Sequence, residues 1–333
     1  MKKIKVLVTG GAGYIGSHTI RTLKQTGYGA VVYDNFSRGH RKVVENFPVV
    51  EGDTADRSKL IEVLREYEIG AVMHFAAHSQ VGESVKKPVL YYGNNVIGGL
   101  ALLEAMRETG VDCFVFSSSA AVYGEPEEIP ISEAQPLKPT NPYGETKVVI
   151  EKALGYYEQA YGMRSVSLRY FNAAGAAADG SIGEDHDPET HLIPLILQTL
   201  LGQREKVTVF GDDYPTTDGT PLRDYIHVED LAEAHVLALE FLLKGGTRAA
   251  YNLGTGRGYT VLEVLKVVEK VTGCQVPYEF GARRAGDPAV LVASAEKAEA
   301  ELGWRCKHDE LEKIVESAWR WHRNNPYGFS QFD

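Results

Sequence analysis

The stretch Ile4-Lys5-Val6-Leu7-Val8-Thr9-Gly10-Gly11-Ala12-Gly13-Tyr14-Ile15-Gly16 decides the fold. Its first six residues form a short apolar run with β-branched side chains that ends in glycines. A strand buried on both faces of a parallel sheet has this character. Residues 14–26 then place Ile15, Thr19/Ile20 and Leu23 at helical spacing, with Gly27 as the stop signal. Gly10 permits the tight turn between the two. Gly13 lets backbone N–H groups approach a pyrophosphate at the helix N-terminus, and Gly16 lets the helix pack closely on the strand.

The same rhythm continues. Residues 30–33, Val49–Glu51, 71–75, Cys113–Ser117 and 165–170 read as further strands, with helical segments at 57–68, 95–109 and 145–161 between them. Alternation of this kind predicts an α/β fold, a doubly wound parallel sheet with helices on both faces. After Asn172 the texture changes. Residues 173–190 read as a loop, 192–201 as a helix with Pro194 in its first turn, and 212–221 as turn-rich; helices follow near 229–243, 261–272 and 308–323. The expected division is a nucleotide-binding core over 1–175 and a mainly substrate-binding region over 176–333, with the chain recrossing between them.

Composition bounds the partners. The chain has 333 residues, with 35 Lys+Arg against 45 Asp+Glu and a formal charge of −10. An acidic balance argues against non-specific nucleic-acid or membrane-surface binding, which needs excess basic residues. It leaves room for an anionic ligand held by a local arginine cluster. Cys113, Cys274 and Cys306 lie far apart with no Cys-x-x-Cys, the pattern of a reduced, cytoplasmic protein. Met1-Lys2-Lys3 resembles the start of a signal peptide, but Lys5 breaks the apolar run. No run reaches the roughly 18 apolar residues of a membrane span.

Asp34 ends the second strand, 18 residues past Gly16. A carboxylate there accepts hydrogen bonds from a ribose 2′-hydroxyl and repels a 2′-phosphate, so NAD is favoured over NADP. Arg38 stands against this, since a nearby arginine accepts a 2′-phosphate. Asp53 reads either as an adenine contact or as the N-cap of the helix near 56–68. Tyr143 and Lys147, at i and i+4, share one helix face. An ammonium near a phenol lowers its pKa from about 10 toward a useful range for proton abstraction. Upstream, the strand Cys113–Ser117 feeds Ser117-Ser118-Ser119-Ala120-Ala121. A hydroxyl at a strand's carboxyl end faces the ligand crevice of such a sheet.

Taken in order, these elements resemble the extended short-chain dehydrogenase/reductase family, and within it the branch that epimerises UDP-hexoses. The likeness runs from about residue 4 to 327. It is carried by VTGGAGYIGSH (8–18), HFAA (74–77), VGES (81–84), YYGNNV (91–96), SSSAAVYG (117–124), NPYGETK (141–147), RYFNAAG (169–175), FGDDYPTTDGTPLRDYIHVEDLA (210–232), YNLGTG (251–256) and RRAGD (283–287). The resemblance implies that Tyr143 removes the proton of the sugar 4-hydroxyl, that Ser119 bridges the hydrogen bond, and that Lys147 binds the nicotinamide ribose. It implies hydride transfer from C4 to bound NAD and return to the opposite face, interconverting UDP-glucose and UDP-galactose. It also assigns Tyr14, Ile15, Asn35, Thr54, Phe75, Ala76, Ala77, Asn95 and Tyr170 to the cofactor. The same branch often forms homodimers through helices at 95–109 and 145–161.

For the UDP-sugar, the resemblance implies diphosphate contacts from Arg223 and Arg284, with Asn172, Phe210 and Asp287 around the nucleotide and Phe171 bordering the sugar. Planar guanidinium groups suit bidentate phosphate contact. The plainer alternatives are an ion pair between Arg223 and Asp224 and a turn cap at Asn172. His191-Leu192 stands where the family often has Asn-Leu, and its backbone can serve there. Leu291 falls, by the resemblance, at a position whose side chain limits the sugar C2 substituent in the family, with Val290 or Val292 as the off-by-one alternatives. Because leucine is smaller than the tyrosine some members carry there, the resemblance implies that an N-acetyl group is also accepted. Ser79 stands where some relatives carry a basic residue. Related dehydratases need an acid pair directly after the strand-end hydroxyl, and here those positions are Ala120 and Ala121. No metal is expected: neither His74 nor His227 sits in a ligand spacing such as His-x-x-x-His. A UDP-N-acetylglucosamine 4-epimerase, a uronate epimerase and a non-catalytic NAD-binding regulator are the rival functions.

Overall fold

The computed structural model describes residues 4–284 and 286–329. Met1-Lys2-Lys3 and Ala285 of the RRAGD stretch lie outside the described residues. Seven parallel strands form the central sheet: β1 (Lys5–Thr9), β2 (Gly29–Asp34), β3 (Val49–Glu51), β4 (Ile69–His74), β5 (Cys113–Ser117), β6 (Arg164–Tyr170) and β10 (Ala249–Leu253). Their spatial order is β3-β2-β1-β4-β5-β6-β10. The order reverses between β1 and β4, where Thr9 pairs with Tyr33 on one side and His74 on the other. Crevices open at the carboxyl ends of the strands at such a switch point.

Alternate side chains of each strand serve the two faces of the sheet. Val6, Val8, Val32, Met73 and Val115 pack with Ile20 and Leu23 of α1 (Tyr14–Gln25) and Leu231 and Leu239 of α8 (Val228–Leu243). Leu7, Val31, Val72, Phe114 and Phe116 pack with α2 (Arg57–Glu66), α5 (Gly98–Thr109) and α6 (Pro142–Tyr161) through Leu60, Leu102, Met106, Ile150 and Leu154. Each such fully buried side chain contributes about 1.5–3 kcal/mol. This is why the strands read as continuous apolar runs.

Two helix starts near the site differ from the sequence expectation. The helix expected from 145 begins at Pro142, because Asn141 caps it (Oδ1 accepts from Gly144 N, 2.9 Å) and Pro142 opens it. Tyr143 therefore sits in the first turn. The helix expected from 95 is entered earlier: after the short α3 (Val81–Lys86), helical backbone runs from α4 (Pro88–Tyr91) through a π-helical turn over Tyr92–Ile97 into α5 at Gly98. The run Gly93-Asn94-Asn95 has low helix propensity.

The remaining region is built on β9 (Leu222–His227), which pairs with β7 (Asn172–Ala174), β11 (Gly258–Thr260) and β13 (Val290–Leu291). A parallel pair, β8 (Val207–Phe210) and β12 (Tyr278–Gly281), lies apart from it. α7 (Leu192–Leu200), α9 (Val261–Thr272) and α11 (Leu311–Asn324) pack around Ile196, Val264 and Ile314, while α10 (Glu296–Leu302) packs on β10. These strands are two to six residues long, too short to show a periodicity in sequence. α8 packs on α1 and β10 borders the main sheet, so the chain returns to the core after residue 176. No helix among the described residues is long and apolar enough to cross a membrane. All three cysteines are free thiols.

Candidate active site

The first crevice lies at the switch point. Gly10, Gly13, Asp34, Asn35, Thr54, Phe75, Ala76 and Ala77 line it together with Arg38, His78 and Asn94. Gly13 is the N-cap of α1, no side chain caps the helix, and its first turn carries no acidic residue. The first-turn N–H groups are thus available to an anion, favoured there by the helix dipole. Gly10 has φ +72°. A Cβ on Gly16 would lie 2.3 Å from Gly10 O, so the constraint at Gly16 is the glycine turn itself rather than the strand.

Asp34 is buried, and its oxygens accept from Ala12 N and Phe36 N, each at 2.9 Å. Burial pushes its carboxyl up, and these two N–H groups oppose that. Arg38 is turned toward the Asp187 carbonyl and lies 3.9 Å from Glu83. Asp53 is not the helix cap: Asp56 accepts from Lys59 N (3.0 Å), while Asp53 bonds Asn35 Nδ2 (3.0 Å) at the crevice rim. Tyr14 and Ile15 offer the crevice only backbone. The Tyr14 hydroxyl donates to Gly175 O (2.7 Å), and Ile15 packs into the core. The Asn95 amide is spent within the protein, bonding His78 N and O at 2.8 and 3.0 Å and Thr146 Oγ1 at 3.1 Å. It holds the 76–78 loop, and its neighbour Asn94 lines the crevice.

The catalytic candidates converge beside this crevice. Ser119 follows β5 and caps a 3-10 turn over Ala120–Val122. The first turn of α6 packs on that turn so closely that a Cβ on Gly144 would lie 2.4 Å from Ala121 O. The glycine inside Tyr143-Gly144-Glu145-Thr146-Lys147 thus brings Tyr143 to Ser119. Tyr143 and Lys147 are both buried. Burial pushes the Tyr143 phenol up, and a hydrogen bond with Ser119 pulls it down. Lys147 does not touch the phenol oxygen: Nζ donates to Ser117 O (2.7 Å) and lies 5.7 Å from the centroid of the Tyr143 ring. The two groups share a helix face without a direct hydrogen bond between them. Burial lowers Lys147 to about 7, opposed by Glu151. Tyr170 joins the site through a short hydrogen bond to Ser117 Oγ.

The supporting network was not anticipated. Glu151, at 7% exposure, receives Arg169 in a fork (Nε–Oε1 3.1 Å, Nη2–Oε2 2.5 Å) and also Ser118 Oγ at 2.6 Å. Arg169 Nη1 donates to Tyr123 OH (2.9 Å), which donates to Asn252 Oδ1 (2.7 Å). A signal existed in sequence. Tyr143, Lys147 and Glu151 repeat every four residues along one face of α6, and an acid on a buried face requires a cation.

On the substrate side, Arg223 pairs with Asp287 and donates to Pro288 O at 2.7 Å. Asp224 is instead ringed by Thr255 N, Thr255 Oγ1, Gly256 N and Ala293 N. The alternative pair Arg223–Asp224 is therefore incorrect. The Arg284 guanidinium lies 4.1 Å over the Phe210 ring. Asn172 is paired with Tyr225 on β9, and Leu291 with Arg223. Leu291 packs against the cluster that holds Ala120, Val122, Tyr123, Ile131 and Phe171. His191 and Leu192 stand at the start of α7. The His191 imidazole faces Glu184 and Glu189 at 2.9 and 3.0 Å.

Comparison with known proteins bears on this site. Residues 6–254 match the family model described as "NAD dependent epimerase/dehydratase family". A UDP-glucose 4-epimerase of Halalkalibacterium halodurans is 54% identical over 98% of this chain and 97% of its own. The structure of a UDP-glucose 4-epimerase from Brucella ovis in complex with NAD superposes with TM-score 0.92 at 50% identity, covering 95% of this chain and 97% of that one. The UDP-Glc/GlcNAc 4-epimerase of Campylobacter jejuni superposes with TM-score 0.84 at 40% identity, covering 96% and 99%.

Proposed function

The chain belongs to the NAD dependent epimerase/dehydratase family, and on that premise we propose that it is an isomerase interconverting UDP-glucose and UDP-galactose at C4. The observation that carries this is the meeting of Ser119 with the buried Tyr143, with buried Lys147 one turn on, beside the dinucleotide crevice. Ala120 and Ala121 follow the serine, so no acid stands there to expel water, and elimination lacks its general acid.

The residues present fit NAD. An uncapped helix N-terminus suits its pyrophosphate, Asp34 suits an unphosphorylated ribose, and Arg38 is engaged with Asp187 and Glu83. When bound, NAD supplies a hydride acceptor for C4 that later serves as donor to the other face of the ketone. The chain does the rest. Tyr143 takes the proton of the 4-hydroxyl and returns it to the reduced product. Ser119 aligns the phenol and stabilises its deprotonated form. Lys147, fixed by Ser117 O, would hold the nicotinamide ribose. Arg284 meets the diphosphate, and Arg223 fixes Asp287 in position for the uridine ribose, with Asn172 beside them.

Leu291 supports a wider sugar range. It packs against the cluster that includes Ala120 and Phe171, and it is shorter than an aromatic side chain would be there. UDP-N-acetylglucosamine is therefore a second substrate. The exposed apolar residues Val85 (51%), Val89 (84%), Ile97 (61%), Tyr156 (71%) and Tyr161 (57%) lie on the segment ahead of α5 and on α6. Exposed apolar clustering of this kind marks an interface, and we assign it to a homodimer.

Four outcomes test these readings. Tyr143→Phe lowers turnover by about 10²–10⁴-fold while NAD stays bound; near-normal turnover would remove Tyr143 as the base. Ser119→Ala removes the influence that lowers the phenol. Because the base must be deprotonated, the acidic limb of the kcat profile moves up by about one to two pH units; an unmoved limb contradicts the pairing. Product analysis with UDP-N-acetylglucosamine yields UDP-N-acetylgalactosamine, and its absence while UDP-galactose turns over confines the range to simple hexoses. Sedimentation equilibrium returns a dimer, and a monomer at working concentration rejects the interface.

A further inference from the structure

The loop between β7 and α7 carries a second constellation that the reaction does not use. Glu184, His186, Glu189 and His191 each present one donor atom, and these atoms all lie within 4.8 Å of one another. Both carboxylates are buried, at 4% and 3% side-chain exposure. His191 Nδ1 lies 2.9 Å from Glu184 Oε1 and 3.0 Å from Glu189 Oε1; His186 Nδ1 lies 3.4 Å from Glu184 Oε1 and 3.5 Å from Glu189 Oε2. A tetrahedral zinc ion with N and O ligands at about 2.0–2.2 Å separates its ligand atoms by about 3.3–3.6 Å. The His186 spacings, 3.4 and 3.5 Å, fall within that range, and the His191 spacings, 2.9 and 3.0 Å, are a few tenths of an ångström shorter.

A separate observation points the same way. His186 Nδ1 is buried, faces both carboxylates and has no hydrogen-bond partner. Buried polar atoms are rarely left in that state. Glu189 is also oriented as a metal ligand's carboxylate is, its Oε1 accepting from Thr190 N (2.7 Å) and His191 N (2.8 Å). The other grouping, His227, Glu229 and His308, differs. There, His227 is spent on Ser317 Oγ and Glu229 N, and His308 on Asp230.

We propose that Glu184, His186, Glu189 and His191 bind one zinc ion that clamps this loop. Two imidazoles and two carboxylates supply the nitrogen and oxygen ligands zinc takes, and four of them complete a tetrahedral set. The place gives the clamp a purpose. Asp187 O accepts from Arg38 and Pro188 O from Gln80 Nε2 (3.1 Å), on the cofactor side, while the Tyr14 ring lies 6.2 Å from the His186 ring. His191 leads directly into α7 on the substrate side. The ion would tie the segment held by Arg38 and Gln80 to the start of α7. This departs from the expectation of no metal, because the ligands are spaced Glu-x-His-x-x-Glu-x-His, a loop spacing rather than a helical one.

The test is metal analysis of the full-length protein after growth and purification with added zinc. It should hold about one equivalent of zinc per chain, falling below about a tenth in Glu184→Gln and in His186→Asn. Retained NAD in the variants reports that they have folded. Chelation should lower the melting temperature of the wild-type protein, and zinc should restore it. Cobalt(II) added to the chelated wild-type protein should give the intense visible bands of tetrahedral coordination, a readout independent of any variant. A wild-type protein that takes up no zinc and gives no cobalt bands would overturn the proposal. So would variants that keep the full zinc content.

Discussion

The Arg169–Glu151 ion pair is the contact on which the catalytic geometry rests. Each side chain is 7% exposed, so neither charge is solvated by water. The fork between them, with Ser118 and Tyr123 completing it, satisfies both. Removing one partner of such a buried pair typically costs about 3–5 kcal/mol, because the other charge is stranded. Its placement matters as much as its strength. Glu151 belongs to α6, Arg169 to β6, and Ser118 follows β5, so one carboxylate fixes the three elements that deliver Tyr143, Tyr170 and Ser119. The same carboxylate opposes the loss of charge at Lys147.

Close approach of backbone sets the remaining distances. Gly16 seats α1 against the glycine turn, and Gly144 seats α6 against the Ala120–Val122 turn. A side chain at either position would open a helix N-terminus away from the crevice it serves. The cofactor site and the proton-transfer site are therefore built by one device used twice, a glycine in the first turn of a helix.

Most of the core was legible in sequence because its signals are local. Residues 4–16 announce a strand, a turn and a helix within thirteen positions, and Asp34, Ser119 and Tyr143-Gly144-Glu145-Thr146-Lys147 each sit at the end of an element the periodicity finds. What was missed is non-local. Glu151 meets Arg169 across 18 residues, and Arg223 meets Asp287 across 64, so no spacing rule joins them. Asp53 and Asp56 are both plausible caps, and only the chain path chooses Asp56. Asn95 lies in a motif that resembles a cofactor contact, yet its amide is consumed by His78 and Thr146. The i, i+4 pairing of Tyr143 and Lys147 was real, but sharing a face did not bring Nζ to the phenol oxygen. The small strands outside the central sheet, β7–β9 and β11–β13, are held by their neighbours rather than by their own composition.

The central claim is that hydride leaves and returns to the same carbon without exchanging with water. UDP-galactose carrying deuterium at C4, incubated with the purified protein and no added NAD, tests it directly. Mass and NMR analysis of the UDP-glucose formed should find the deuterium retained at C4. Loss of the label to solvent, or no turnover until NAD is supplied in molar excess, would contradict the account.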